Sequence, residues 1–513
     1  MDRYCPEQNE RGVFMFPATS SHDSYKLFVA AQLQKHYTGD TLQLLPADWV
    51  FIEKLWLIDL SATAEFLKDQ YSTFGPKPTD PACMLRAYLL MLFTQRGYSV
   101  TAWVDELRRI PLYAIICGFE PRKTPGVGTF YDFFPRLWNA NTANSKSHEK
   151  FKRQKPKKGK TKGEKAPTTS KDKVNKLVQH LLRNKGVAEP SKQPFDRLFE
   201  LFQTNFLSVS LEMGLLGQKN SLSIAGDGTP VVTSSLLRSK SLCKCRAQGL
   251  DACHHKRYFS QPDCNSGWDS SRERFFNGYH LYLLTASDSP HDLPVFPLLQ
   301  PASRHDSLSL IVSSIEFHRR FSLGTVSRII LDAAHDVMGI YHLFNSHGVE
   351  PVIDLNARSS KTVSLSEGFS LSPKGIPLCP RQVPMRSNGF DREKGCQKWR
   401  CGSTNGTVNS CPTPCSSAKY GRTFLTFMND NPRLVTATRR ESPEWKLIYN
   451  RRTTAERTNK RQKLDYKLEA GRHRSTMMWY MRVFGIMMCQ HADAWHAHKK
   501  DFLQLKTTLL SAA

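Results

Sequence analysis

The sequence predicts an α/β domain that carries a β-rich insertion and follows an all-α region. Between residues 221 and 355, apolar β-branched runs alternate with segments of helical spacing in the order β-β-β-α-β-α-β. Residues 79–140 hold several short apolar segments at helical spacing, separated by Gly and Pro. Between Asp332 and Glu456 lie 123 residues, far more than a single turn requires, and 371–439 within them are expected to form the insertion. Strand-like runs are predicted at Thr423–Met428, Leu434–Ala437 and Trp445–Tyr449.

Composition restricts the class of partner. A chain of 513 residues is too long for one core, and two to four domains are expected. The net charge of +26 favours a polyanion, either nucleic acid or an anionic membrane surface. No apolar run approaches the ~18 residues of a membrane span, which favours nucleic acid. The N-terminal residues lack the apolar core of a signal peptide, so the thirteen cysteines indicate a reducing, cytoplasmic compartment.

The all-α region is predicted from helix start and stop signals. Short helices joined by tight turns suit either a helix-turn-helix-like DNA-binding domain or a small all-α packing domain. The expected signals are a start at Thr79-Asp80-Pro81, a break from Gly97 to Ser99, a reset at Pro111, a stop at Gly118 and a cap at Thr129.

Residues 141–180 are predicted to be a Lys-rich disordered linker. Lys146 to Lys176 holds twelve Lys and one Arg against three acids, with almost nothing apolar, and cannot bury a core. Two compatible roles are expected for it, a solvated tether and a non-specific contact with phosphates.

Two predicted strands deliver carboxylates at or near their ends. The run from Ser221 to Ala225 leads into Gly226-Asp227-Gly228, and the run from Val326 to Leu331 ends at Asp332. A later helix supplies Glu456. Three acids from distant segments suit a two-metal phosphoryl-transfer site, because Mg²⁺ and Mn²⁺ prefer oxygen ligands.

The segment from Tyr449 to Lys463 is predicted to be one continuous helix. At 100° per residue, Tyr449, Arg452, Glu456 and Lys463 share one stripe, with Lys460 close to it. The stripe is either a phosphate-binding surface beside the metals or a solvated helix face with an ion pair between Arg452 and Glu456.

These motifs resemble the DDE transposases of bacterial insertion sequences, in particular the group with a Tyr-x2-Arg-x3-Glu-x6-Lys signature. The signature is complete at Tyr449, Arg452, Glu456 and Lys463. The family's two aspartates correspond to Asp227 in AGDGTPV and to Asp332 in LDAAHD, which GVEPVIDLNAR follows. The resemblance extends over residues 80–480 and implies a ribonuclease-H-like fold.

The resemblance also implies a function. Asp227, Asp332 and Glu456 would be catalytic and would bind two Mg²⁺ or Mn²⁺ ions. The protein would cut the ends of an insertion sequence and join the 3′-hydroxyls to target DNA, as a homodimer on paired ends in the bacterial nucleoid. The expected DNA-binding residues are Tyr449, Arg452, Lys460 and Lys463. Two alternatives stay open: a catalytically inactive or domesticated DNA-binding protein of the same fold, and a ribonuclease-H-like nuclease without strand transfer.

A domain map follows from these predictions. The expected parts are a helical DNA-binding domain at 1–140, the linker at 141–180, the catalytic domain at 181–370 and 440–495, the insertion at 371–439 and a C-terminal tail at 496–513. Within the catalytic part, Met477 to Met488 is apolar almost all round and is expected to be a buried core helix.

Two cysteine clusters are candidate zinc sites. The first comprises Cys243, Cys245, Cys253 and Cys264, together with His254 and His255. Its spacing is not that of a standard finger, and free thiols are the alternative. The second comprises Cys379, Cys396, Cys401, Cys411 and Cys415, and the two could also be halves of one site.

Three further polar residues adjoin the predicted metal site. Asp336 could compete with Asp332, although the strand end favours Asp332. His305 precedes Asp306 just after a strand and is either close to the metals or a hydrogen-bonded turn residue. Asp354 is expected to support the site without binding metal.

Overall fold

The computed structural model describes residues 21–37, 43–72, 78–95, 99–139, 170–184, 192–235, 261, 263–357, 362–405, 408–409, 411–471 and 473–499. The chain divides into two compact units. The helical unit comprises Met1–Lys146, Lys192–Ser210 and Gln462–Ala513, and the sheet unit comprises Ser147–Ser191 and Leu211–Arg461.

The α-helices of the described residues are numbered in chain order. They are α1 His22–Tyr37, α2 Pro46–Leu57, α3 Thr63–Phe66, α4 Pro81–Thr94, α5 Val100–Arg109, α6 Pro111–Cys117, α7 Val127–Phe133, α8 Ser170–Arg183, α9 Asp196–Phe202, α10 Ser208–Glu212, α11 Asp306–Arg320, α12 Met338–Ser346, α13 Pro443–Asn450, α14 Thr453–Leu464 and α15 Thr476–His498.

The strands are numbered in the same way. They are β1 Leu222–Val232, β2 Asn265–Asp269, β3 Arg274–Ala286, β4 Pro294–Pro301, β5 Val326–Leu331, β6 Glu350–Ile353, β7 Val363–Ser364, β8 Ser370–Leu371, β9 Pro377–Leu378, β10 Arg386–Asp391, β11 Cys396–Arg400, β12 Thr404–Asn405, β13 Val408–Asn409 and β14 Thr423–Phe427.

The helical unit packs around α15. This helix is buried on nearly every side and contacts α2, α4 and α9, which confirms the expected core helix. Gly485 permits the close approach, because a Cβ there would lie 2.6 Å from Leu92 Cδ1 and 2.8 Å from Tyr88 Cε1. None of the helices in the described ranges, α15 included, is long and apolar enough to cross a membrane.

Most helix signals of the N-terminal region are confirmed. Asp80 caps α4 by accepting a 2.8 Å hydrogen bond from the Ala82 N–H. The helix α6 begins at Pro111 and stops at Gly118, whose φ of 94° lies in the left-handed region that glycine favours. The expected cap at Thr129 is wrong. Gly126 holds the N-cap position with an extended backbone, and Thr129 lies inside α7.

The main sheet of the sheet unit has the order β2-β3-β1-β5-β6, with β4 also paired to β3. β3 is antiparallel to β1, β2 and β4, whereas β5 runs parallel to β1 and to β6. Without the additional strand β2, the elements follow one another as β1, β3, β4, α11, β5, α12 and β6, which is the predicted ribonuclease-H-like order. The prediction that the first strand ends at Ala225 is wrong. Pairing with β3 continues to Val232, which places Asp227 inside the strand.

Part of the expected disordered linker is a helix. Residues 170–183 form α8, which buries Val174 and Val178 and contacts α11 and α12. Asn175 Oδ1 accepts a 2.9 Å hydrogen bond from the Gly339 N–H. The apolar residues at i and i+4 anchor this segment although its composition is highly charged. The linker residues 140–169 lie outside the described residues.

Between β6 and α13 the chain forms small antiparallel sheets, β7-β8-β9, β10-β11-β14 and β12-β13. Phe369, Cys379, Met385 and Trp399 form one apolar core there. The predicted strand from Thr423 is confirmed as β14. The strands predicted at 434–437 and 445–449 are wrong, because the first segment is turn and bend and the second lies in α13.

Candidate active site

Two predicted catalytic aspartates come from neighbouring parallel strands. Asp227 lies within β1, and Asp332 directly follows Leu331 at the end of β5. The two strands are paired in the sheet, so their register sets the two side chains close together. Asp332 also caps a one-turn 3-10 helix by accepting a 3.1 Å hydrogen bond from the Ala334 N–H.

Asp227 is the electrostatically strained member of the group. Its Oδ2 accepts a 3.0 Å hydrogen bond from Asn459 Nδ2 of α14. Burial, together with the negative charges of Asp306 and Asp332, nevertheless raises the pKa of Asp227 to about 6. A cation next to Asp227 would relieve both effects.

Asp306 is a further acid within electrostatic range of Asp227, on the opposite face of β1, and sequence reasoning did not assign it a role. It begins α11, and its Oδ1 lies 2.8 Å from Nε2 of His280 on β3. Burial by itself would raise the pKa of Asp306, but hydrogen bonding to His280 and the charges of nearby histidines outweigh it and lower the pKa.

The glycines around Asp227 make room for this pair. Side chains alternate along a strand, so Gly226 and Gly228 face away from Asp227. A Cβ at Gly228 would lie 2.2 Å from Asp306 Oδ1 and 2.4 Å from His280 Nε2. One at Gly226 would lie 2.8 Å from the Tyr282 hydroxyl. The Gly-Asp-Gly motif therefore reflects close packing behind the strand and not a strand end.

Asp332 is held by a buried histidine. Nδ1 of His335 lies 2.5 Å from Asp332 Oδ1, and His335 Nε2 lies 2.9 Å from the Tyr282 hydroxyl. His335 and Tyr282 are both buried. Burial would raise the pKa of Asp332, but the hydrogen bond and charge of His335 outweigh it and lower the pKa. This partner fixes the orientation of Asp332 from behind.

The prediction of one continuous helix from Tyr449 to Lys463 is wrong. The helix α13 ends at Asn450 and α14 begins at Thr453, with a turn at Arg451 and Arg452. Tyr449 stacks on Trp445 with ring centroids 4.8 Å apart, and burial raises its pKa to about 12, with smaller contributions from Asp354 and Asp332. The phenol therefore stays protonated at neutral pH.

Glu456 is presented differently from the aspartates. Its side chain is 48% exposed, and its Oε1 lies 2.5 Å from NH1 of Arg452. Burial would lower the pKa of Arg452, but Glu456, Tyr449 and Asp332 outweigh it and raise the pKa. Arg452 is thus close to both Glu456 and Asp332, and its guanidinium lies 5.9 Å from the centre of the Tyr449 ring.

Two predicted DNA-binding lysines lie farther along α14. Lys460 is exposed, and Lys463 Nζ lies 3.9 Å from Glu469 Oε1.

The other predicted polar residues have structural contacts. Arg433 forms two hydrogen bonds of 2.8 and 2.7 Å to Asp336, and this buried pair excludes Asp336 as a competing ligand. His305 caps α11 through a 3.3 Å hydrogen bond from the Ser307 N–H, so the turn-residue interpretation is confirmed. Asp354 directly follows β6 and is exposed.

The zinc predictions are tested only in part. Cys243, Cys245 and Cys253, with His254 and His255, lie outside the described residues. Cys264 is buried, with its Sγ 3.2 Å from Gln261 Oε1. Across the described ranges, no three His, Cys, Asp or Glu side chains are arranged to hold a metal ion, and the second cysteine cluster is not assembled into a site.

The donor chemistry of these acids suits a hard divalent cation, although the described residues do not hold them in a metal-binding arrangement. Three carboxylates act on one another around β1, and the one at the centre has a raised pKa. Each carboxylate is at present held by its own donor: Asn459 on Asp227, His280 on Asp306, His335 on Asp332 and Arg452 on Glu456.

Sequence reasoning missed several residues of this site, and two of them left a signal. His335 lies three residues after Asp332, and Asn459 lies three residues after Glu456 on the same helix face. His280, in contrast, reaches the site only through strand pairing and carried no local signal.

The comparisons with known proteins agree with this geometry. Residues 247–489 match a family model described as transposase DDE domain. The match contains Asp306, Asp332 and Glu456 but begins after Asp227. No curated protein matches the chain. The match supports a transposase activity, and residues 247–489 are similar to a transposase DDE domain.

Proposed function

We propose that this protein is a DDE transposase that cuts the ends of an insertion sequence and joins the released 3′-hydroxyls to target DNA. One observation carries the proposal: Asp227 and Asp332 come from neighbouring parallel strands of the mixed sheet, and Arg452, which pairs with Glu456, lies within electrostatic range of Asp332. Acids from two strands and a later helix are the donor set that the family resemblance implies. The net charge of +26 supports DNA as the partner.

Asp227, Asp332 and Glu456 would hold two Mg²⁺ or Mn²⁺ ions. When bound, the ions would supply activation of the attacking oxygen and stabilisation of the leaving oxygen. The protein's own task is to keep the carboxylates oriented. Asn459 holds Asp227 from α14, and the buried His335 holds Asp332.

Arg452 would act as an exchangeable partner. Its guanidinium neutralises Glu456 in this structure, 2.5 Å from the carboxylate oxygen. If Glu456 held a metal ion, the planar fork of Arg452 would be free to bind a DNA phosphate. Tyr449 stays protonated and donates a hydrogen bond, and the exposed Lys460 adds a further phosphate contact. Lys463 extends this basic stripe in our proposal.

DNA binding outside the site is proposed for two further regions. The short helices α5, α6 and α7 would serve as a helix-turn-helix-like domain, and the Lys-rich residues 146–169 would contact phosphates without sequence preference. Two copies would act together on paired ends.

The test uses charge-removing variants of similar size. Asp227→Asn, Asp332→Asn and Glu456→Gln should each nearly abolish Mg²⁺-dependent cleavage of DNA ends while DNA binding persists, because affinity comes mainly from Lys and Arg. Asp430→Asn is the control, since Asp430 is an exposed acid between β14 and α13 that has no proposed role in the site. Wild-type cleavage by Asp332→Asn would overturn the assignment.

The same assay separates the alternatives. Cleavage without joining of the 3′-hydroxyls to a second duplex would indicate a nuclease. Binding of DNA without any cleavage would indicate an inactive or domesticated protein of the same fold.

A further inference from the structure

The hairpin of β2 and β3 carries two exposed aromatic rings side by side. Trp268 and Phe275 are directly opposite each other in the strand register, with ring centroids 4.9 Å apart in an edge-to-face arrangement. Their exposed fractions are 54% and 73%. Large aromatic side chains are rarely left this exposed, and such patches mark sites of interaction.

The turn between β2 and β3 is stabilised by polar contacts that do not involve the two rings. The buried Asp269, at the end of β2, accepts hydrogen bonds of 3.0 and 2.7 Å from the N–H and hydroxyl of Ser271. It also accepts a 3.2 Å bond from the Arg272 N–H, and its carboxylate lies 3.6 Å from the Arg272 guanidinium. The turn is therefore fixed by its own polar contacts, and the exposed rings are not needed to hold the hairpin together.

The pair lies on the strand that borders the candidate active site. Phe275 is eight residues before Leu283, the residue of β3 that pairs with Asp227. An even separation puts Phe275, Leu283 and Asp227 on the same face of the sheet. Along the strand the distance is about 26 Å at about 3.3 Å per residue. DNA whose reacting phosphate lies at Asp227 would reach the rings within about eight base pairs at about 3.4 Å each.

The surroundings favour a nucleic acid over a protein. Arg274 is exposed next to Phe275 and offers a cation beside the rings. Glu273 shares the turn, so the rings rather than a net charge define the surface. Exposed parts of two such side chains offer roughly 200–300 Å², well below the about 800 Å² per partner of a stable protein interface.

We propose that Trp268 and Phe275 form a stacking platform for an unpaired base of the DNA that flanks the cleavage position. The inference rests on the proposed function, because it takes DNA as the substrate. An aromatic face accepts any base, so the platform would favour single-stranded or distorted DNA without reading its sequence.

The experiment compares two probes, a short single strand of mixed sequence and the blunt duplex that contains it, on the full chain. Trp268→Ala and Phe275→Ala should each weaken binding of the single strand by about 5- to 100-fold and change binding of the blunt duplex by less than about 2-fold, since no phosphate contact is lost. The slope of log K against log salt should stay the same. Trp268→Tyr keeps an aromatic face and should restore most of the affinity.

Two controls accompany these variants. Tyr420→Ala removes an aromatic side chain that is 64% exposed outside the hairpin and should affect neither probe. Arg274→Gln should weaken both probes and flatten the salt slope, because it removes a cation and leaves the rings in place.

Equal weakening of both probes by Trp268→Ala, or no weakening of either, would overturn the platform. A loss of self-association with unchanged DNA binding would overturn it as well, in favour of a contact between copies. Wild-type protein that binds neither probe would instead contradict the proposed function itself.

Discussion

The two strand-borne acids and the helix-borne acid of the candidate site are held in different ways. Asp227 and Asp332 are placed by the backbone register of β1 and β5, and each has a fixed partner, Asn459 or His335. Glu456 follows a break between two helices, is half exposed and is paired with Arg452. Asp227 and Asp332 are therefore held by fixed neighbours, and the pKa of Asp227 is raised. Glu456, in contrast, is half exposed and neutralised by Arg452.

This contrast has an electrostatic consequence. The pKa of Asp227 is raised, whereas the pKa values of Asp306 and Asp332 are lowered because histidines outweigh the effect of burial. The raised pKa of Asp227 comes mainly from burial, and the charges of Asp306 and Asp332 add smaller contributions.

The largest expected effect comes from disturbing the packing behind Asp227. Gly228→Ala would place a Cβ 2.2 Å from Asp306 Oδ1 and 2.4 Å from His280 Nε2, so both side chains must shift. We expect DNA cleavage to fall more than about 100-fold, and the free energy of unfolding to fall by about 1–3 kcal/mol, the usual cost of overpacking. Cleavage rates and urea unfolding measure the two quantities.

Gly128→Ala is the matched control for this variant. A Cβ at Gly128 in α7 meets nothing within 4 Å, and Ala favours helix, so stability should be unchanged or slightly higher. Normal cleavage by Gly228→Ala would mean that the His280–Asp306 pair does not belong to the site.

The second expected effect separates orientation from ligation. His335→Ala leaves all carboxylates in place but removes the donor 2.5 Å from Asp332. Loss of such a second-layer partner should lower activity or Mg²⁺ affinity about 10- to 100-fold. Titration of cleavage with Mg²⁺ should show the curve displaced to higher concentration, with saturating metal recovering part of the rate.

His342→Ala provides the comparison, because His342 is exposed on α12. An unshifted Mg²⁺ curve for His335→Ala would show that the strand register alone orients Asp332.

The third effect is a pH dependence of the free energy of unfolding, which follows from the raised pKa of Asp227. Its folded pKa of about 6 lies above the ordinary value of 3.8, mainly because of burial. A raised pKa stabilises the fold below about pH 4, and this contribution is lost as pH rises through about 6. In metal-free protein the loss should be about 3 kcal/mol, at about 1.4 kcal/mol per pKa unit.

Asp227→Asn should remove this slope between about pH 4 and 6, because the amide does not ionise. Urea unfolding of both proteins in the presence of a chelator measures the difference. Asp354→Asn, an exposed acid, should keep the wild-type slope. Parallel curves for wild type and Asp227→Asn would show that Asp227 does not contribute to the pH dependence of stability.

The sequence predicted those parts of the site that depend on neighbouring residues. It did not predict the parts that depend on contacts between residues far apart in the chain. Val326 to Leu331 is an apolar β-branched run, so the position of Asp332 at a strand end was readable locally. The continuation of β1 through Thr229-Pro230 was not, because proline usually ends a strand, and here pairing with β3 carries the strand on to Val232.

The break between α13 and α14, just before Glu456, also has no local signal in the sequence. Residues 450–454 read Asn-Arg-Arg-Thr-Thr and contain neither Gly nor Pro, so nothing local ends a helix there. Asp288 and Asp292 hold Arg451 and Arg457 from the β3–β4 connection and help to set where α14 begins. Such contacts join residues more than 160 positions apart, beyond the reach of periodicity.

The smallest expected effect tests whether Arg452 exchanges Glu456 for a DNA phosphate. Arg452→Gln removes the cation that pairs with Glu456 and leaves the acid unneutralised. Mg²⁺ no longer has to displace an arginine from Glu456, so metal affinity should stay the same or rise. DNA affinity should fall about 3- to 10-fold and the salt slope should decrease by about 1, as for the loss of one phosphate contact. Arg457→Gln is the matched control on the same helix, because Arg457 is committed to Asp292 through bonds of 2.7 and 2.6 Å. A fall in Mg²⁺ affinity with unchanged DNA binding in Arg452→Gln would contradict the exchange, and would indicate that Arg452 serves only to position Glu456.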